Sequence, residues 1–288
     1  MILTRMFVLL AMAVGLSAFG QPFELKDGDR VAFLGDTLME REQTYGRIET
    51  ALTLRFADRH VTFRNLGWSG DTPRGISRQS LSLLQAGREP DDEGFKLLKG
   101  QLELVKPTVV FLGYGMANSF EGEAGLSTFI KDLQTLIDTI QEIVGKDQVR
   151  FVVVSPIKHE KLPAPLPDPA KHNEQLSLYT KALRELAQER GFPFVSLYEQ
   201  LVGGTAKQPL TDNGIHLNDF GYQRATAVIE KSLGWSPLKL GRAQQEQAGT
   251  LREVILKKNE WFFHRSRPAN MAYIFGFRKR EQGQNAVE

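Results

Sequence analysis

The chain has no cysteine among its 288 residues. Disulfide scaffolds and thiol chemistry are therefore excluded, as is a lipid anchor on a cysteine behind a leader. Charge of one sign is also missing. The 36 Lys and Arg residues face 34 Asp and Glu, a formal net charge of +2. That balance gives no electrostatic footprint for a nucleic-acid partner. Long apolar runs are missing beyond the first twenty residues. There, Arg5 precedes the run "MFVLLAMAVGLSAF", and small residues in "AFG" suit a cut after Gly20. The run is short for a membrane span of about 20 residues, so it reads as a cleaved leader rather than an anchor. The sequence thus predicts an exported protein, periplasmic or secreted, without a membrane span once the leader is removed. Sequence signatures of cofactors are missing too. "GYGMAN" lacks the third glycine of a dinucleotide loop. No His-x-x-x-His spacing exists, so Asp36, Asp71, His159 and His216 are only long-range metal candidates. No cofactor and no metal are predicted.

What is present is an alternation. Five short apolar, β-branched or aromatic runs occur at 30–35, 60–66, 107–113, 149–155 and 192–197. Several are apolar on consecutive positions, as strands covered on both faces must be. Between them lie helical periods. Residues 41–58 place Ile48, Leu52 and Phe56 four apart, and residues 125–144 repeat Phe129, Leu133, Leu136, Ile137 and Ile140. The run 173–191 ends on Gly191, a natural C-cap. Alternating strands and helices predict an α/β domain: a three-layer α/β/α sandwich around a five-stranded parallel sheet. The expected organisation is a leader over 1–20, this domain over 21–236, and a helical, aromatic and basic extension over 237–288. Trp261, Phe262, Phe263, Tyr273, Phe275 and Phe277 would be costly to expose, so the extension is expected to pack on the domain.

In such a sheet, ligands bind beyond the C-terminal strand ends. Those ends carry Gly35-Asp36-Thr37, "NLGWSGDT" at 65–72, "GYGMANSF" at 113–120 and "SPIKHE" at 155–160. A late loop carries "TDNGIHLN" at 211–218. A hydroxyl, a glycine turn, an amide side chain and a histidine therefore meet on one rim. That set suits acyl transfer, in which a hydroxyl attacks, a histidine takes its proton and N–H groups hold the oxyanion. Taken singly, each has a plainer role. Asp36 can be an N-cap, Asn118 a loop residue, His216 a structural histidine, and Trp68 either a sugar-stacking or a packed ring. His159-Glu160 can belong to the site or to a solvated loop.

In family order, "FLGDT", "NLGWSGDT" and "NGIHLNDFGY" resemble the signature blocks of the SGNH, or GDSL-type, hydrolases. The resemblance spans about residues 29–233. It implies Thr37 as nucleophile, His216 as base, and Asn213 or the adjacent Asp212 as the group that orients His216. Gly70 would donate its backbone N–H to the oxyanion, with Asn118 as the side-chain donor, and Asp36 and Trp68 are counted with them among the oxyanion and substrate-binding residues. Three positions depart from the family pattern. Thr37 stands where serine is expected, and its methyl restricts χ1. Asn213 stands at the acid position and cannot stabilise imidazolium as a carboxylate does. Ala117 stands in register with the oxyanion asparagine, so Asn118 serves only if the loop bulges by one residue. The resemblance implies an ester hydrolase for a small-molecule or carbohydrate ester, such as an acyl or acetyl group on a sugar. The departures leave open a carbohydrate- or ligand-binding protein on the same scaffold. The tail leaves open an interaction role, and the oligomeric state is undetermined.

Overall fold

The computed structural model describes residues 22–78, 92–202, 204–205 and 207–267. The expected leader and Tyr273, Phe275 and Phe277 lie outside the described residues. Strands β1 (Arg30–Gly35), β2 (Thr62–Asn65), β3 (Val109–Gly113), β4 (Arg150–Val154) and β5 (Phe194–Val195) form one parallel sheet in the order β2-β1-β3-β4-β5. The five predicted runs thus become the five strands.

The consecutive apolar residues of these strands divide between two cores. Val31, Phe33, Val109, Phe111, Val152 and Val154 face one side. There they meet Ile48 and Leu52 of α2 (Arg47–Arg55) and Tyr222, Ala225 and Ile229 of α7 (Asp219–Ser232). Ala32, Leu34, Val110, Leu112, Phe151 and Val153 face the other side. Their partners are Leu98 and Leu102 of α3 (Glu93–Val105), Phe129, Leu133 and Ile137 of α4 (Gly122–Val144), and Leu183 and Leu186 of α5 (Ala170–Arg190). Burial on both faces explains why the strands show no polar alternation. A four-residue helix, α6 (Leu197–Gln200), follows β5.

One helix differs from expectation. The apolar period over 41–58 predicts a single helix, but the chain forms α1 (Thr37–Tyr45) and then α2. Gly46 separates them in the left-handed conformation, φ 60°, and its N–H returns to the Glu42 carbonyl. Only glycine enters that region at no steric cost, so it can interrupt an otherwise continuous pattern. The start of α2 is then capped from outside. Glu42 Oε1 accepts the N–H groups of Ile48 at 2.7 Å and Glu49 at 3.2 Å. Glu42 is buried, and its Oε2 has no hydrogen-bond partner.

The C-terminal helix α8 (Arg242–Ser266) lies across α1 and α2. Ile255 and Leu256 approach Gly46, Lys258 pairs with Glu49 at 2.5 Å, and Arg252 donates to the Tyr45 carbonyl at 2.5 Å and to Asp219 at 2.9 Å. The described part of the extension, through Arg267, packs on the domain through ion pairs and hydrogen bonds as well as apolar contacts. Phe262 is partly buried against the second core, whereas Trp261 is 66% exposed. The Lys257 ammonium lies 5.7 Å from the Trp261 ring centroid.

Burial pushes the Glu42 carboxyl from 4.5 up to about 8. The fold therefore holds this proton more tightly than the open chain does. The stability that the proton confers is complete below about pH 4.5 and is lost as pH rises through about 8. Glu42→Gln preserves the shape and removes the titration. We expect its melting temperature to match the parent near pH 4 and to exceed it by several degrees at pH 8, at about 2–4 °C per kcal/mol for a domain of this size. Calorimetry at both pH values checks this. An equal difference at the two would show that Glu42 is not the titrating group.

Candidate active site

Strand order reverses between β1 and β3, which is where an open sheet of this order opens its ligand crevice. Asp36 braces the two strand ends. Its Oδ1 caps α1 at the Leu38 N–H, 3.2 Å, and its Oδ2 accepts the Met116 N–H at 3.0 Å. Its own N–H donates to the Gly113 carbonyl at 3.0 Å. Burial pushes its carboxyl up to about 6, although the N–H groups of Leu38, Ala117 and Met116 pull it down. Asp36 thus serves as a buried cross-brace.

Thr37 is the first residue of α1 and is half-buried. Its Oγ1 accepts the Gly70 N–H at 3.0 Å. The structure thus brings the Thr37 hydroxyl and the Gly70 N–H, two of the candidate site groups, into contact. The turn carrying Gly70 is held to β1 by Leu66 N–H on Phe33 O and Trp68 N–H on Gly35 O, 2.8 and 2.9 Å. Within the turn, Asp71 and Arg78 form a fully buried ion pair at 2.8 Å, and Arg78 also donates to the Leu66 carbonyl at 2.7 Å. The Trp68 ring packs against two guanidiniums, Arg78 at 5.1 Å and Arg267 at 4.2 Å from its centroid. Asn118 opens a short 3₁₀ turn, Asn118–Glu121, and is buried with its Oδ1 unpartnered. No hydrogen bond joins Asn118 to Thr37 or Gly70 among the described residues.

His216 sits in a tight turn closed by Asp212 N–H on the His216 carbonyl, 2.8 Å. The orientation of Asn213 decides the chemistry here. Its Oδ1 accepts the backbone N–H groups of His216 at 3.0 Å and Ile215 at 3.3 Å. Backbone N–H groups only donate, so that atom must be the oxygen. The NH2 group therefore faces His216 Nδ1, 3.1 Å away. Burial, followed by the Arg41 charge, holds His216 below its ordinary value, which favours the neutral ring. A neutral imidazole that accepts at Nδ1 carries its proton on Nε2. In this geometry His216 is poised as a donor at Nε2. Asp212 turns away from it and pairs with Arg41 at 2.5 Å. No hydrogen bond joins Thr37 to His216 among the described residues.

The loop after β4 holds the His216 turn in place. Glu160 accepts from Leu210 N–H at 3.0 Å, Thr211 N–H at 2.9 Å and the Thr211 hydroxyl at 2.5 Å, while its own N–H donates to the Gly214 carbonyl at 2.7 Å. The edge of His159 lies against Gly214, φ 95°, where a Cβ would meet the ring at 2.7 Å. His159 is in turn oriented by a chain. The Ser119 hydroxyl donates to the Met116 carbonyl at 2.7 Å, so Ser119 accepts from His172 Nε2–H at 2.8 Å. His172 Nδ1 then accepts from His159 Nδ1–H at 3.0 Å. Burial keeps both rings neutral, with His172 pushed down to about 4. His159-Glu160, left open by sequence reasoning, is thus a support for the histidine turn. Ser119, His172 and Arg41 were missed. Only the strand-end position of Ser119 could have signalled any of them. Among the described residues, no three His, Asp or Glu side chains are grouped to hold a metal.

The sequence matches a known family. The model of the GDSL-like lipase/acylhydrolase family matches residues 33–224, about two thirds of the chain. The chain belongs to this family. Solved structures share its fold. A protein described as a GDSL-like lipase from Parabacteroides merdae aligns with TM-score 0.56 and 17% identity, over 74% of this chain and 99% of that one. A gut microbial diltiazem-metabolizing enzyme aligns with TM-score 0.55 and 21% identity, over 73% and 48%. An acetyl-xylooligosaccharide esterase variant from Geobacillus stearothermophilus aligns with TM-score 0.53 and 14% identity, over 76% and 100%. No curated protein matches the chain. Membership in this GDSL-like family supports ester hydrolysis, and residues from "FLGDT" through the His216 turn lie inside the matched span.

Glu160 serves three donors in this GDSL-like domain, so Glu160→Ala strands Leu210 N–H and both Thr211 donors. We expect a loss of about 1–3 kcal/mol in stability and faster amide exchange over 210–216 than over β1. Denaturant melts with exchange mass spectrometry check this. Unchanged exchange in that turn would remove Glu160 from its support.

Proposed function

We propose that the chain is an exported ester hydrolase that acts slowly, on an acyl or acetyl ester of a carbohydrate or small molecule. The observation that carries this reading is the 3.0 Å contact between Thr37 Oγ1 and the Gly70 N–H at the crevice of a GDSL-like fold. It places a hydroxyl next to a backbone donor, as acyl transfer requires. Thr37 Oγ1 attacks the acyl carbon, and its proton passes to His216 Nε2. The Gly70 N–H turns from the hydroxyl to the developing oxyanion, joined by the Thr37 N–H and the Asn118 amide. The alcohol leaves with the proton from His216. Water then repeats the sequence and releases the acid. The leader-like residues 1–20 support export to the periplasm or medium. The acetyl-xylooligosaccharide esterase among the structural relatives suggests the carbohydrate ester, by fold analogy alone.

The slowness follows from Asn213. His216 Nε2 must lose its proton before it can accept one from Thr37. Reversing the Asn213 amide would break both bonds from the Ile215 and His216 N–H groups. In a Ser-His-Asp protease, replacing the aspartate with asparagine sets the same wrong tautomer and lowers kcat about 10⁴-fold. The same observation favours a second reading. With an Nε2–H on His216 and a backbone N–H at Gly70, the crevice offers donors to a carbonyl or carboxylate ligand without turning it over.

Asn213→Asp separates the two readings by a near-isosteric change. One oxygen keeps the two backbone N–H groups, and the other accepts Nδ1–H, which frees Nε2. With p-nitrophenyl acetate and acetylated xylo-oligosaccharides, we expect slow turnover by the purified chain lacking residues 1–20. Thr37→Ala and His216→Ala should each lower it at least about 100-fold. Asn213→Asp should raise kcat at least about tenfold. Turnover that survives both alanine changes would sink the hydrolase assignment. An inert parent that gains activity only with Thr37→Ser and Asn213→Asp together would establish the binding reading.

A further inference from the structure

The extension does more than cover α1 and α2. Its helix α8 ends by delivering Arg267, whose N–H returns to the Phe263 carbonyl at 2.8 Å. Arg267 is buried, with 9% of its surface exposed. Its Nη2 donates to the Gly67 carbonyl, and its Nη1 lies 3.3 Å from Glu40 Oε1. Its guanidinium lies 4.2 Å from the centroid of the Trp68 ring and 5.0 Å from that of Phe263. The other oxygen of Glu40 accepts the Ser69 hydroxyl. Gly67, Trp68 and Ser69 are thus gripped in succession, directly or through Glu40, immediately before Gly70.

A buried cation is costly unless its donors are used, and here the planar fork serves a carbonyl, a carboxylate and a ring. Burial pushes the Arg267 guanidinium down to about 10, which shows how far it is withdrawn from water. The turn also has an internal brace, Arg78, held by Asp71, the Leu66 carbonyl and Gln101. That brace acts at 66 and 71. Within the turn the Ser77 hydroxyl also donates to the Gly70 carbonyl at 2.8 Å and the Asp71 N–H to the Trp68 carbonyl at 3.0 Å, while the exposed Ser69 side chain and the Gly67 carbonyl are held by the outer grip.

We propose that Arg267 is a positioning residue. The C-terminal extension, which lies outside the family match, sets the turn that aims the Gly70 N–H at the Thr37 hydroxyl. The catalytic consequence rests on the hydrolase reading, but the positioning does not.

The test uses the purified protein with Arg267→Ala, Arg267→Lys and, as a control on an exposed position of the same helix, Trp261→Ala. Two readouts are taken: amide exchange by nuclear magnetic resonance at Trp68, Gly70 and Asp71 against Val110 and Phe111 of β3, and kcat and KM on p-nitrophenyl acetate. Arg267→Ala is expected to speed exchange in the turn at least about tenfold with β3 unchanged within about twofold. It is expected to lower kcat about tenfold at nearly constant KM, as misplacement of a reacting group does. Arg267→Lys, which lacks the fork, is expected to recover only part of either effect, and Trp261→Ala to leave both unchanged. If Arg267→Ala does not fold, the lysine variant is read by the same criteria. Unchanged exchange in the turn, or exchange that rises equally in β3, overturns the proposal. Faster exchange confined to the turn, with no ester hydrolysed even by the parent, upholds the positioning role and removes the hydrolase reading instead.

Discussion

A buried carboxylate at the end of the first strand is the constraint on which the crevice depends. Asp36 ties together the start of α1, the end of β1 and the loop after β3. Each tie is a backbone N–H or carbonyl, so the brace acts on main chain and not on flexible side chains. It sets where Thr37 emerges relative to Met116 and Asn118. The cost is visible in the same group. Burial pushes the carboxyl up to about 6 even with three N–H groups facing it. A site that keeps a carboxylate under those conditions gains geometric definition in exchange for stability.

The chemistry of the crevice turns on a second orientation, that of one amide. Two backbone N–H groups determine which end of Asn213 is oxygen, and that choice runs through Nδ1 to Nε2 of His216. The histidine turn is equally determined from below by Glu160 and by the chain from Ser119 through His172 to His159. A loop with so many directed bonds does not drift freely between tautomers. The donor character of His216 is a property of the fold around it.

Much of the fold was legible because consecutive apolar residues report burial on both faces, and 3.6-residue periods report helices. Gly46 escaped that reading because a period says nothing about φ, and Ile48 and Leu52 stay in phase with the helix before the break. The strand-end and late-loop positions of Thr37, Gly70 and His216 could be read as candidates, and the family resemblance gave them their expected roles. Their partners were not legible. Glu160 meets Thr211 from 51 residues away, and Arg267 meets Gly67 from 200. Such contacts are set by how helices stack on the sheet. The direction of the Asn213 amide was illegible for a related reason: the residue type is compatible with either end facing the ring.

Two of the three departures from the family pattern, Thr37 and Asn213, bear on a single step of the proposed mechanism, removal of the proton from the hydroxyl. The methyl of Thr37 restricts the rotamers through which Oγ1 can approach a base. The hydroxyl already accepts the Gly70 N–H, which in the proposed mechanism must leave it for the oxyanion during attack. The Asn213 amide leaves a proton where the base should have a lone pair. Each change alone would slow a hydrolase. Together they weaken the one transfer on which the proposed turnover depends. Around the crevice Asp36, Asp71 and Glu160 keep directed partners in the described structure, whereas the buried Asn118 Oδ1 has none. A crevice braced in this way, with His216 held as a donor at Nε2, fits the proposed binding of a carbonyl-bearing ligand as well as its proposed slow cleavage.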